Sequence, residues 1–385
     1  MPDIPAEFAW RVAKARAEMA RAGCDVLVLD SCEAVAWISG YTVSETRYRA
    51  VFLPQEGAPW WVLRDLDIAP CREGGWIADV VGFQDGAAPE AVMAAELQRR
   101  GFGRARIGAD FNSIGWNPMR AAALAEGLPG AEWVNLPGVT ESLRWVKSSA
   151  EIALIERAAA APDAAMAAVA GTAAPGITPR EAAALAAATQ LRHGADSGVI
   201  GPILRSSGAH EFLHGLFRTD ALAPGDVLHV ELVPTVANYS ARMMRPIVLG
   251  TPSPEQRAVA TQLLAIQDAQ IAAMRPGALA RDVDRIMRQG ALEAGLRQEY
   301  TNVTAYTLGL YSRTPRASDF SRVLLPDQDW RLEENMVFHV YTTAEGLGFS
   351  ETVQVTPEGG RRLTRTPRAI LSAGGGSRYA GAVPD

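Results

Sequence analysis

The second half of the chain repeats itself, and that repeat restricts the possible folds more than any other feature of the sequence. Pro175-Gly176 opens a segment that closes at Gly194, and Pro276-Gly277 opens one that closes at Gly295, with an offset of eighteen from glycine to glycine each time. The strand-like stretch Val227-Leu228-His229-Val230-Glu231 returns 110 residues later as Val337-Phe338-His339-Val340-Tyr341. Tyr239-Ser240-Ala241 returns at the same offset as Phe349-Ser350-Glu351. Two copies of a helix–helix–strand–strand unit, each too small to close its own core, are predicted to pack about a pseudo-two-fold axis. Ligand sites in paired halves of this kind lie between them.

The residues before the repeat have another texture, and 385 residues exceed what one core usually fills. An amphipathic helix over 8–22 ends at Gly23, and 25–30 reads as a short buried strand. Further apolar stretches follow at 34–38 and 49–53, with strands at 60–63 and 107–110 and a helix at 89–100. The pattern changes across Glu141-Ser142-Leu143-Arg144-Trp145-Val146-Lys147, after which an Ala-rich helix runs from 149 to about 170. Thr178-Pro179-Arg180-Glu181 is a capping box that predicts a helix start. The expected fold class is α+β in two domains: a smaller N-terminal α/β domain over 1–147 and the duplicated domain over 148–372. A Gly-, Ala- and Ser-rich tail over 373–385 is expected to be flexible.

Composition narrows the partners. With 48% apolar and 21% charged residues the chain can bury a sizeable core. Its net charge of −6 comes without a run of Lys or Arg, which excludes a nucleic-acid footprint and a membrane-surface patch. No uncharged apolar run approaches the ~20 residues that cross a bilayer. Met1-Pro2-Asp3-Ile4-Pro5 lacks the basic-then-apolar order of a signal peptide. Cys24, Cys32 and Cys71 cannot all pair and match no zinc or C-x-x-C spacing, so they are expected as reduced thiols. A cytoplasmic protein with small-molecule or protein partners is expected.

Strand alternation places His229 and Glu231 on one face and His339 and Tyr341 on another, and the pseudo-symmetry turns one set toward the other. Glu231 sits between Val230 and Leu232, where an ionised carboxylate must be paired or functional. Glu351 has the same character. His214 lies in a loop just before Pro224-Gly225-Asp226, where it is either a general acid–base or a surface histidine. His229 and His339 either hydrogen-bond within the core or join Glu231 and Glu351 in a single mixed nitrogen/oxygen metal site.

These segments resemble the pita-bread family, which includes methionine aminopeptidase, prolidase, aminopeptidase P, creatinase and ectoine hydrolase. The resemblance rests on Pro-Gly-Asp before an apolar strand, on Leu143-Arg144-Trp145-Val146-Lys147-Ser148, and on the Glu, Val-Thr and Gly of residues 348–363. It implies a creatinase-like N-terminal domain, a pita-bread catalytic domain, and a homodimer. The metallopeptidase branch binds two metals through two Asp, one His and two Glu. Matched motif to motif, those positions hold Glu231, Arg242, Tyr306, Tyr341 and Glu351. Only the last keeps its type, and a guanidinium beside phenols is a poor hard-cation site, so no metal or other cofactor is expected.

The resemblance points instead to the metal-free branch, represented by creatinase and ectoine hydrolase. The eleven positions from His214 to Gly225 match the creatinase spacing. Ala36-Trp37-Ile38-Ser39-Gly40-Tyr41, Tyr306-Thr307-Leu308-Gly309-Leu310 and Met336-Val337-Phe338-His339 resemble ectoine hydrolase. A metal-independent hydrolase is thus implied, acting on a C–N bond of a small amidine, guanidino or amide compound with a carboxylate. Glu231 and Glu351 would hold the cationic group, Glu231 or its water would attack, and His214 would carry the proton. Tyr306 and Tyr341 either stabilise the adduct or wall the pocket. Arg242 or Arg313 would anchor the substrate carboxylate, and Arg47 or Arg49 would reach across a dimer interface. Competing readings are a lyase that eliminates with the same His/Glu set and a non-catalytic binding relative.

Overall fold

The computed structural model describes residues 5–41, 47–311 and 321–373. They form two compact units: one takes in the chain up to Arg144 with Leu310 and Tyr311, the other Trp145–Gly309 and everything described from Ser321 onward. The expected tail falls almost wholly outside the described residues, as does Arg313.

The first unit holds strands β1 (Val26–Leu29), β2 (Ala50–Pro54), β3 (Trp60–Arg64), β4 (Asp79–Phe83), β5 (Arg106–Ala109) and β6 (Glu132–Asn135). Among the described residues they form one mixed sheet in the order β4-β3-β2-β1-β5-β6. Its helices are α1 (Ala6–Ala22), α2 (Cys32–Ser39), α3 (Ile68–Gly74), α4 (Pro89–Arg99), α5 (Pro118–Gly127) and the single turn α6 (Val139–Ser142). The apolar stretch at 34–38 is the body of α2. The Ser31 side chain caps it by accepting from the Ala34 N–H at 3.2 Å, and Gly40 ends it at φ 84°. Its side chains are almost all buried, so the helical period is invisible in the sequence.

The second unit carries α7 (Ser149–Thr172), α8 (Pro179–Arg192), α9 (Pro254–Ala273) and α10 (Ala280–Glu293). Capping boxes start α7 at Ser148, α8 at Thr178 and α9 at Ser253. The strands are β7 (Ile200–Arg205), β8 (Val227–Leu232), β9 (Thr235–Val236), β10 (Tyr239–Ser240), β11 (Met243–Val248), β12 (Ala305–Thr307), β13 (Val323–Leu324), β14 (Val337–Ala344), β15 (Leu347–Thr356), β16 (Gly359–Arg362) and β17 (Leu371–Ser372). The main sheet runs β13-β12-β14-β15-β11-β8-β7. Read outward from the β15–β11 junction, β15-β14-β12 mirrors β11-β8-β7, which is the pseudo-two-fold arrangement expected from the repeat.

One face of this sheet is covered by helices. Leu228, Val230, Leu232, Met243 and Ile247 pack with Ala165, Met166 and Ala186 of α7 and α8, and Phe338, Val340 and Val353 pack with Ile271 of α9. The face opposite the helices carries the polar residues of the repeat.

Candidate active site

Directly paired residues of an antiparallel ladder project to the same face, so the register decides which side chains meet. Met244 of β11 pairs with Glu231 of β8 on one side and with Ser350 of β15 on the other. Ser350 pairs in turn with Tyr341, Thr352 with His339, and His339 with Tyr306. Glu231, Ser350, Tyr341, Thr352, His339 and Tyr306 therefore share the face away from the helices, and His229, two residues from Glu231, joins them.

Glu351 does not. It pairs with Val340 and points into the helix-covered side, where it is fully buried. There Arg245 Nη2 donates to its Oε1 at 2.7 Å, Thr364 Oγ1 donates to its Oε2, and the Arg368 Nε lies 3.4 Å away. The expected catalytic role of Glu351 is corrected on that ground. It is half of an interior ion pair, and on the site face that stretch of β15 presents the Ser350 hydroxyl instead.

Glu231 is 1% exposed and its charge is met within the chain: Arg242 Nε donates to Oε1. The Arg242 guanidinium also lies 5.6 Å from the Tyr306 ring centre, and its backbone is clasped by Thr352, whose Oγ1 accepts from the Arg242 N–H at 2.7 Å and donates to its carbonyl at 2.9 Å. The other Glu231 oxygen faces β7, where a Cβ at Gly201 would stand 2.9 Å from Oε2 and 2.6 Å from Cγ. Glycine is what lets the carboxylate sit there. With Glu231 bound by Arg242 and Glu351 on the far face, the two carboxylates do not form a pair on the site face.

The aromatic groups form a hydrogen-bonded series. Tyr306 O–H lies 2.6 Å from His339 Nδ1. Burial raises the Tyr306 phenol above its ordinary range, while burial and the neighbouring Arg242 hold His339 well below the ordinary imidazole range. Both groups are therefore neutral, and with the phenol donating to Nδ1 the imidazole carries its hydrogen on Nε2. That buried Nε2 has no partner among the described residues. Tyr341 stacks on His339 at 5.3 Å and accepts from Asn302 Nδ2 at 2.8 Å, so its own O–H proton is left to donate into the site. Burial raises this phenol as well, against the opposing effect of Asn302.

His229 is fully buried with both ring nitrogens unpartnered, and burial pushes it down to about 3. It is a neutral core imidazole, edge-on to Phe212 at 4.9 Å, with Gly348 beneath its ring. His214 is exposed in a turn and forms no hydrogen bond with either glutamate. In the first unit, Arg47 donates to the Ala87 carbonyl at 2.7 Å and Arg49 to Cys32 Sγ at 3.3 Å.

The donor set settles whether a metal fits. Among the described residues no group of three or more His, Cys, Asp or Glu is placed to hold one. The site face offers one carboxylate already bound to a guanidinium, two neutral histidines of which one faces a phenol, and two protonated phenols, a set with no free carboxylate for a hard divalent cation. No helix among the described residues is long and apolar enough to cross a membrane.

Two units, the second a pseudo-symmetric sheet with its polar residues gathered across the junction, define a pita-bread protein with a creatinase-like N-terminal domain. Comparison with known proteins agrees. The Creatinase/Prolidase N-terminal domain pattern matches residues 11–146 and that of Metallopeptidase family M24 matches 153–357. The chain belongs to family M24, and its coarse class is a hydrolase of that family. It is 27% identical over 246 residues to an Xaa-Pro dipeptidase of Pyrococcus furiosus, covering 62% of this chain and 69% of that one. It is 26% identical to the uncharacterized hydrolase/peptidase y4tL of Sinorhizobium fredii, covering 95% and 96%. Its fold resembles that of dipeptidase PepE from Mycobacterium ulcerans, with a TM-score of 0.81 at 24% identity over 96% of this chain and 98% of that one. The prolidase from Pyrococcus horikoshii OT3 gives 0.79 at 21% identity over 94% and 100%.

Proposed function

We propose that this protein hydrolyses a C–N bond of a small amide or amidine compound bearing a carboxylate, and does so without a metal. The observation that carries the reading is the buried Glu231–Arg242 pair at positions where the family resemblance calls for two acidic ligands. The peptide C–N bond named in the Xaa-Pro dipeptidase relative supports the amide end of that range.

In this reading Arg242 orients Glu231 and supplies fixed positive charge next to it, and Glu231 activates water for attack on the C–N carbon. The oxyanion that forms is met by the Tyr341 O–H and the His339 Nε2–H, neither of which has an acceptor among the described residues. Tyr306 keeps His339 in the tautomer that makes Nε2 a donor. The proton taken by Glu231 returns to the leaving nitrogen from the same carboxyl, which lies at the site while His214 is exposed in a turn. Protonated phenols and a neutral imidazole can donate without placing charge in a dry pocket.

The test is a panel of N-acyl amino acids, dipeptides, cyclic amidines and guanidino acids, given to protein dialysed against EDTA and checked for metal by elemental analysis. Turnover with oxygen from labelled water in the product, at well under one metal per chain, is the expected outcome. Turnover that requires added metal removes the reading, an unsaturated product assigns elimination, and binding without turnover assigns a binding protein.

A further inference from the structure

Arg297 is 5% exposed and, among the described residues, no carboxylate pairs with it. Its Nη2 donates to Asn302 Oδ1 at 3.0 Å, while Nε and Nη1 are buried without an acceptor. The neighbouring carboxylate Asp284 is taken by Arg288 at 2.7 and 2.8 Å and by Thr304 Oγ1 at 2.8 Å. Two guanidiniums thus share one acid, and the uncompensated charge is on Arg297. Burial lowers its affinity for a proton, with Tyr300 opposing the effect and Arg288 adding to it. A buried cation with two idle donors is expensive unless something completes it.

The surroundings are built to hold that guanidinium flat. Its centre lies 3.8 Å over the Tyr300 ring, whose own buried hydroxyl has no hydrogen-bond partner. Asn302 ties the arrangement to the site by accepting from Arg297 and donating to the Tyr341 hydroxyl. The distance from the unpaired charge to the site face is therefore one amide side chain.

We propose that Arg297, with Tyr300, is an anion-binding subsite that takes a carboxylate and places it next to Tyr341. A carboxylate completes both idle guanidinium donors and accepts from the Tyr300 hydroxyl, matching charge and hydrogen-bond capacity together. That the carboxylate is the substrate's own rests on the proposed hydrolysis, whereas the binding does not. Arg242, bound to Glu231, is released from the anchoring role expected of it.

Acetate is the probe and acetamide its neutral isostere, with sodium chloride matching ionic strength. The whole protein should melt at least ~2 °C higher at saturating acetate than in chloride or acetamide, since a ligand of the folded state stabilises it by mass action. Arg297→Gln, which keeps a donor for Asn302, should lose this response; Arg297→Met serves if the glutamine variant does not fold. No acetate response in the native protein, an equal response to acetamide, or a response retained in the variant overturns the subsite. Acetate binding without turnover on any panel compound sinks the hydrolase reading and leaves the subsite standing. Turnover indifferent to Arg297 overturns the assignment of that carboxylate to the substrate and leaves the hydrolase reading standing.

Discussion

Glu231 and Arg242 each depend on the other. A carboxylate 1% exposed tolerates its charge only because a guanidinium binds it, so removing either partner leaves an unpaired ion inside the protein. Arg242→Met and Glu231→Gln should each lower unfolding stability by about 3 kcal/mol in urea titrations. The double variant should recover part of that loss, which a double-mutant cycle reads as coupling. The buried histidines set an acid limit. His229 takes up a proton near pH 6.5 when unfolded but only at about pH 3 when folded, so the unfolded chain binds more protons between those values. Stability should therefore be full above pH 6.5 and fall as pH drops toward 3, by up to about 1.4 kcal/mol per unit for this group. His229→Phe should flatten the slope between pH 6 and pH 4.5 by about one proton.

At the scale of the element, the β14–β15 hairpin decides what the site contains. A two-residue turn at Glu345 and Gly346, with φ 48° and 75°, pairs Ala344 with Leu347 and fixes every residue beyond it. Shifting that register by one would bring Glu351 to the site face and send Ser350 to the helices. This is why the sequence misplaces Glu351: alternation within a strand is readable, but parity relative to the neighbouring strands depends on a ladder that no spacing announces. Glu231, Arg242, Tyr306, Tyr341 and His339 were all legible from the repeat and the family resemblance. Arg297, Asn302 and Gly201 were not, since a lone Arg, Asn or Gly carries no period and its meaning comes from what it touches. Gly201→Ala tests the last of these. Its Cβ would press on Glu231 at 2.6 to 2.9 Å, so hydrolysis should fall by an order of magnitude or more while far-ultraviolet circular dichroism stays unchanged.

For the whole molecule, the duplicated organisation was the most readable level, because a 110-residue offset survives in residue types even where the chemistry has changed. A metal-holding fold would gain stability from its ion. Added zinc or manganese should leave the unfolding midpoint of this protein where it is, and a concentration-dependent rise would restore the metal site. The two ion pairs on opposite faces of the sheet also divide the work. Arg245 and Glu351, both fully buried, hold β11 to β15, so Glu351→Gln should unfold the protein at lower denaturant than Glu231→Gln does.

Counted as charge, the Glu231–Arg242 pair works as a ratchet. Exchanging Arg242 for an acid would set two carboxylates against each other, and exchanging Glu231 first would strand a guanidinium. Every single step back toward an acidic ligand set passes through a buried, unmatched ion.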